Sequence, residues 1–268
     1  MPTLELLRSL HAPDVSPVTI YYREFGRGRP LVFLHGGWGY GVYPFDGQIE
    51  AFQSEFRIII PDRSGYGHST MVAGEMALDF HRRAASETAA FLDALGIERA
   101  VLWGHSDGAV IAALMGLAAP ERCECLILEA FHYLKRKPGS RSFFERFSQH
   151  PEDLGEETRG LLAQDHGETR WPAVPRRNCG VWNRMADHAR RPDEDLYDGR
   201  LRELQVPTLF LHGKDDPRTE PGEMEFVHQM LPQAQMEFVA NGRHGPHSEE
   251  RAFEECNRIA REFLRSHS

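Results

Sequence analysis

A serine set between two glycines, Gly104-His105-Ser106-Asp107-Gly108, stands where one kind of segment ends and another begins. Ala100 to Trp103 is a short apolar run, and Asp107 to Ala119 is a stretch of small and apolar residues suited to a helix packed hard on a sheet. In that strand-turn-helix setting G-x-S-x-G reads as a nucleophile elbow. The turn is tight, so a side chain at Gly104 or Gly108 would collide with neighbouring backbone. The serine is thereby lifted above the sheet at a helix N-terminus, where the dipole favours developing negative charge.

The rest of the chain repeats the same rhythm. Val18 to Phe25 reads as a strand closed by the Gly26–Gly28 turn. Pro30 to Leu34, Arg57 to Ile60, Cys125 to Leu128, Pro207 to Leu211 and Met236 to Val239 are further apolar runs. Uninterrupted runs of this length fit strands buried on both faces, which means a parallel sheet. Phe80 to Leu95, closed by Gly96, and Ser248 to Leu264 have helical spacing. The alternation predicts an α/β fold with a mostly parallel, doubly wound sheet.

From His132 to Arg200 the rhythm breaks. This stretch is rich in charge, proline and tryptophan and lacks a buried-strand run, so it is expected to be a helical cap (132–200) inserted into a core made of residues 1–131 and 201–268. Its basic cluster, Lys135-Arg136-Lys137 with Arg141, is expected to be a solvated face.

Other bulk properties narrow the function classes. The formal net charge is -9, which disfavours nucleic acid and acidic membranes as partners. The four cysteines lack a zinc or disulfide pattern. Cys123 and Cys125, two apart in an apolar run, are expected on one face of a strand as reduced core thiols. The first ten residues carry Glu5 and Arg8 among leucines, without the apolar core of a leader, so a cytoplasmic protein is expected, as a monomer or homodimer.

A serine hydroxyl needs a base. Of the 14 histidines, His244 in Asn241-Gly242-Arg243-His244-Gly245-Pro246-His247 follows the last apolar run on a glycine-flanked loop; His247 competes with it. The carboxylate that orients the base is expected at Asp216, just past the run ending at Leu211 and ahead of Pro217, with Asp215 as its neighbouring rival and Glu129 a third candidate. An oxyanion hole needs backbone N–H groups. One is expected from Asp107, the other from the loop His35-Gly36-Gly37-Trp38-Gly39, at Gly37 or else Trp38. Trp38, Phe131 and Trp182 are candidate pocket residues, with Trp171, Tyr133 and His132 less decided. No metal or organic cofactor is implied.

Taken in order, Leu34-His35-Gly36-Gly37, Asp62-Arg63-Ser64-Gly65-Tyr66-Gly67-His68-Ser69, Gly104-His105-Ser106-Asp107-Gly108, Gly213-Lys214-Asp215-Asp216-Pro217 and His244-Gly245-Pro246-His247 resemble the α/β-hydrolase superfamily over about residues 18 to 265. The resemblance implies an α/β-hydrolase fold with the nucleophile at Ser106, the acid at Asp216 and the base at His244. The serine-aspartate pair in the elbow, with a tryptophan-bearing insertion ahead of the acid, is similar to the biphenyl hydrolase-like (valacyclovir hydrolase-like) esterases. That narrower likeness implies that the Asp107 carboxylate binds a substrate ammonium; a carboxylate favoured in the first turn of a helix is the plainer reading. The expected activity is hydrolysis of a small-molecule carboxylic ester through an acyl-enzyme. Alternatives on the same residues are lactone, thioester or C–C bond cleavage, or a small-molecule receptor with weak turnover.

Overall fold

The apolar runs become strands of one sheet in the computed structural model of the protein, which describes residues 2–267. The strands are β1 (Thr3–Leu6), β2 (Val18–Phe25), β3 (Arg29–Leu34), β4 (Phe56–Pro61), β5 (Ala100–His105), β6 (Cys123–Glu129), β7 (Thr208–Gly213) and β8 (Gln235–Val239). They lie in the order β1-β2-β4-β3-β5-β6-β7-β8. From β4 to β8 all neighbours are parallel, and β2 runs antiparallel to both β1 and β4. The helices are α1 (Asp46–Phe52), α2 (Phe80–Ala94), α3 (Asp107–Ala118), α4 (Arg141–Gln149), α5 (Glu156–His166), α6 (Ala173–His188), α7 (Glu223–Met230) and α8 (Phe253–Ser266).

Alternate residues of each parallel strand enter different cores, as the pleat requires. Leu31, Phe33, Val101, Trp103, Ile127, Leu209 and Leu211 pack with Phe52 of α1 and Ile259 and Phe263 of α8. Val32, Leu34, Leu102, Leu126, Leu128 and Phe210 pack with α2, α3 and α7 on the other face. All of these side chains are almost fully buried, each contributing about 1.5–3 kcal/mol of transfer free energy.

Three local expectations change. Cys123 and Cys125 lie on opposite faces: Cys123 packs with Leu126 and Leu128, Cys125 with Ile127. A bulge is the cause. Between the pairs Ala100–Cys123 and Leu102–Leu126, β6 uses one residue more than β5, and the parity of its side chains flips. Both remain free, buried thiols whose pKa burial pushes up to about 12. The last helix begins at Phe253, five residues after Ser248. Glu249 is withheld from it, because its carboxylate accepts the N–H groups of Arg243 (2.7 Å) and Gly245 (3.0 Å) and so braces the loop that carries His244. Third, the basic cluster is not uniformly solvated. Lys137 is buried and its Nζ lies 2.5 Å from both carboxylate oxygens of Glu223, which also accepts the Tyr133 and Leu134 N–H groups.

Helices α4 to α6 form an excursion between β6 and β7. Its two ends meet in a bridge between Leu134 and Asp195, supported by Leu196 N–H to the Tyr133 carbonyl (3.0 Å) and Lys135 N–H to the Glu194 carbonyl (3.0 Å). His166 of α5 then ties the excursion to the core. Its Nδ1 accepts the Gly67 N–H (2.8 Å) and its Nε2–H donates to the Trp38 carbonyl (3.0 Å). Because β3, β5, β6, β7 and β8 are parallel, the loops that follow them collect at one edge of the sheet, beneath these helices.

Candidate active site

Ser106 is the single residue between β5 and α3, with φ 54° and ψ -118°, a backbone region that non-glycine residues rarely occupy. Its neighbours make that conformation possible. A Cβ on Gly104 would run into the Gly108 carbonyl, and one on Gly108 into the Leu34 carbonyl, so β3, β5 and α3 approach as closely as backbone allows. The Ser106 N–H donates to the Glu129 carbonyl of β6 (2.9 Å). The side chain is left pointing into the loop edge.

Ser106 Oγ lies 3.1 Å from Nε2 of His244, and His244 Nδ1 lies 3.0 and 3.1 Å from the two carboxylate oxygens of Asp216. With Nδ1–H donating to the carboxylate, Nε2 is free to accept the serine proton. The carboxylate of Asp216 is fully buried. Burial alone would raise its pKa, but the His244 imidazole, its hydrogen bond, nearby His212 and the Arg218 N–H (2.8 Å) hold it well below the ordinary range. Asp215 is exposed and its N–H is spent on the Gly242 carbonyl. His105 supports the arrangement from below. Its Nε2–H donates to the His244 carbonyl (2.8 Å), and burial, then His247 and His244, lower its pKa to about 3, keeping it neutral.

The two rival residues form a pair of their own. His247 Nδ1 is 2.7 Å from Glu129, whose second oxygen accepts Trp103 Nε1–H (2.8 Å), and His247 Nε2 meets the Tyr43 carbonyl at 3.1 Å. Glu129 therefore does not reach His244.

The loop after β3 is pinned by a buried histidine and arginine. His35 Nδ1–H donates to the Gly36 carbonyl (2.8 Å) and its Nε2 accepts the Arg63 N–H (3.1 Å), while Arg63 also donates to the Gly36 carbonyl (2.8 Å). Gly37 and Trp38 consequently line the cavity above Ser106. Asp107 is the first residue of α3, so the helix supplies no carbonyl for its N–H.

That cavity has a volume of about 400 Å³. Trp38, Phe143, Phe144 and Trp182 give it an apolar wall, and His132, Asn178, Arg218 and Arg243 bring polar groups to it. Phe131 is not part of it. It is fully buried between Tyr197 (5.5 Å) and Phe210 (4.9 Å), because Ala130 at φ 49° turns the chain and sends Phe131 into the core. Trp171 and Tyr133 also pack away from it.

The Asp107 carboxylate, expected beside a substrate ammonium, is instead enclosed. It takes up His81 Nε2 (3.0 Å), Asn178 Nδ2–H (2.7 Å) and Trp182 Nε1–H (3.1 Å). Burial would raise its pKa, but His81, Arg63 and Asn178 together bring it below the usual value. A carboxylate so occupied does not face the cavity, so the ammonium expectation loses its geometry. Asn178, Phe143 and Arg218 escaped sequence reasoning, and His132, left undecided there, lines the cavity. The clearest signals for them are position alone: His132 follows β6 by three residues and Arg218 follows Asp216 by two.

His132 brings Nε2 to 3.4 Å from Ser106 Oγ. Burial, then Lys137 and His244, hold its pKa well below the ordinary histidine value, so it is a neutral ring at the serine.

Comparison with known proteins is consistent with this architecture. A family model described as alpha/beta hydrolase fold matches residues 29–184. The serine hydrolase BPHL of Homo sapiens is 24% identical over 253 residues, covering 93% of this chain and 84% of that protein. A putative carbamate hydrolase RutD of Azorhizobium caulinodans is 35% identical over 245 residues, covering 84% and 88%. Among solved structures, a thermophilic esterase from Thermogutta terrifontis superposes with a TM-score of 0.74 at 23% identity, covering 100% and 99% of the two chains. Among the described residues no helix is long and apolar enough to cross a membrane.

Proposed function

The chain belongs to the α/β-hydrolase family and is a hydrolase of that type; on this premise we propose that it cleaves carboxylic esters of small molecules through an acyl-enzyme on Ser106. The observation that carries the reading is the chain of contacts from Asp216 through His244 to Ser106 Oγ, which ends in the cavity.

In the proposed reaction Ser106 Oγ attacks the acyl carbon while its proton passes to His244 Nε2. Asp216 holds the imidazole by Nδ1–H and stabilises the cation that forms. The oxyanion is held by the N–H of Asp107 and that of Gly37, with Trp38 the alternative donor. The bond to the leaving oxygen then breaks, and His244 returns the proton to it. Water attacks the acyl-enzyme with His244 as base, giving the free acid and restoring Ser106. No resident metal or organic cofactor is called for, and the partner is the substrate itself. Trp38 and Trp182 flank the acyl or alcohol part from the cavity wall. The excursion 132–200 serves as the cap that excludes water from the site.

A fluorophosphonate probe tests the nucleophile. Native protein is expected to be labelled and Ser106→Ala unlabelled; labelling that persists in the variant overturns the assignment.

A further inference from the structure

The carboxylates about the cavity above Ser106 are already spoken for, while two arginines that line it, exposed Arg243 and partly buried Arg218, have no side-chain ion pair among the described residues. Asp216 is engaged by His244 and the Arg218 N–H, and Glu249 by the Arg243 and Gly245 N–H groups. The Arg218 side chain has neither an ion pair nor a hydrogen bond among the described residues, although it is only half-exposed and lines the cavity. Its guanidinium lies over the ring of Phe143 in α4, 3.5 Å from the guanidinium carbon to the centroid. Phe143 in turn stacks on Trp38 at 5.5 Å and 15°. Arg23, also half-buried, shows the contrast: its Nη1 is 2.7 Å from Asp62.

Stacking fixes the plane of a guanidinium by one face and leaves its N–H edge free. That edge matches the two oxygens of a carboxylate. Burial pushes the pKa of Arg218 down, and the pull of Tyr43 and Asp216 offsets that only in part, so this cation has given up more hydration than its neighbours return. The chain as a whole carries a net charge of -9 and repels anions at long range. A preference for an anionic substrate would therefore have to come from a local site.

We propose that Arg218 anchors a carboxylate of the substrate, so that the ester cleaved at Ser106 is an anionic one. The inference rests on the serine-hydrolase reading of the site and names its substrate class. The scissile carbonyl sits at Ser106, the apolar wall of Trp38, Phe143 and Trp182 takes the connecting hydrocarbon, and the free carboxylate meets the Arg218 edge.

The test compares kcat/KM for p-nitrophenyl hydrogen glutarate and p-nitrophenyl pentanoate, whose acyl chains differ by a terminal carboxylate. The native protein is expected to favour the glutarate ester by about tenfold. The preference should collapse towards parity in Arg218→Gln and in Arg218→Met, the second of which keeps an apolar stem on Phe143. Arg243 also lines the cavity, so Arg243→Gln is the competing arm: a preference lost there and kept in the Arg218 variants assigns the carboxylate to Arg243 and overturns the proposal. Parity in the native protein, or a preference that survives both Arg218 variants, overturns the proposal. Cleavage by Ser106→Ala would instead sink the nucleophile reading. The subsite is then read without turnover, by calorimetric titration of glutarate into Ser106→Ala. Binding that disappears in the double variant with Arg218→Gln supports it; absent or undiminished binding overturns it.

Discussion

His244 and His247 are three residues apart on one loop, and each sets Nδ1 against a buried carboxylate, Asp216 at 3.0 Å and Glu129 at 2.7 Å. The pairs differ at the other nitrogen. Nε2 of His244 meets a hydroxyl at the floor of a cavity, whereas Nε2 of His247 meets the Tyr43 carbonyl. They differ too in access, since the His244 side chain is 15% exposed and that of His247 0%. A histidine-carboxylate pair is thus chemistry in waiting only where the distal nitrogen is left to a proton donor. With acceptors at both nitrogens, the ring of His247 is a strut between β6, the loop after β3 and the start of the last connection.

The sharpest way to break this contrast is at the carboxylates. Asp216→Asn is expected to lower kcat on the order of 10⁴-fold in an ester assay, because the imidazole loses the partner that fixes its tautomer. Glu129→Gln should lose far less turnover per folded molecule; equal losses would erase the distinction. At the histidines the order reverses for stability. His247→Ala leaves a buried Glu129 without its main partner and is expected to lower unfolding free energy by about 3 kcal/mol in urea titrations. His244→Ala, at the cavity floor, should cost less than that.

A third prediction concerns His105, whose ring lies 5.2 Å from that of His244 and 4.9 Å from that of His247. Its folded pKa is lowered to about 3, and that of His11 to about 4, chiefly by burial. Between those values and the unfolded value of about 6.5 the unfolded chain binds more protons, so stability falls as pH falls. Denaturant titrations at pH 7 and 5 should show this loss, and His105→Gln should shallow it by up to about 1.4 kcal/mol per pH unit. An unchanged slope would remove His105 from the account. The smallest effect is expected at exposed Asp215: Asp215→Asn should stay within about 0.5 kcal/mol in stability and leave the Asp216→Asn loss unmatched.

Much of the sheet was legible because strands buried on both faces must be apolar throughout. Val18–Phe25, buried on one face only, reads from its closing glycine turn instead, and the elbow announces itself because close approach at Gly104 and Gly108 excludes any other residue. The strand β1 was not legible, since its burial is one-sided and Leu6 alone is fully covered. Short α1 and α7 hid in loops for want of a full periodic stretch. The bulge in β6 left no mark in Cys123-Glu124-Cys125, because extra-residue geometry is set by pairing with β5 and not by composition. In the proposed site, Ser106, Asp216 and His244 could be singled out by their place after strands. What the Asp107 carboxylate binds could not, because its partners come from α2 and α6, about 26 and 71–75 positions away. Phe131 misled for a similar reason: the turn at Ala130 decides which way the ring goes.

The enclosed carboxylate of Asp107 also ties two distant stretches of chain together. Asp107 opens α3, yet two of its three partners, Asn178 and Trp182, stand in α6. A foreign segment put in place of the excursion between β6 and β7 would inherit a buried negative charge directly behind the serine and would have to bring its own donors to the same spot. The excursion and α3 are therefore joined through one charge, and a change on either side is felt on the other.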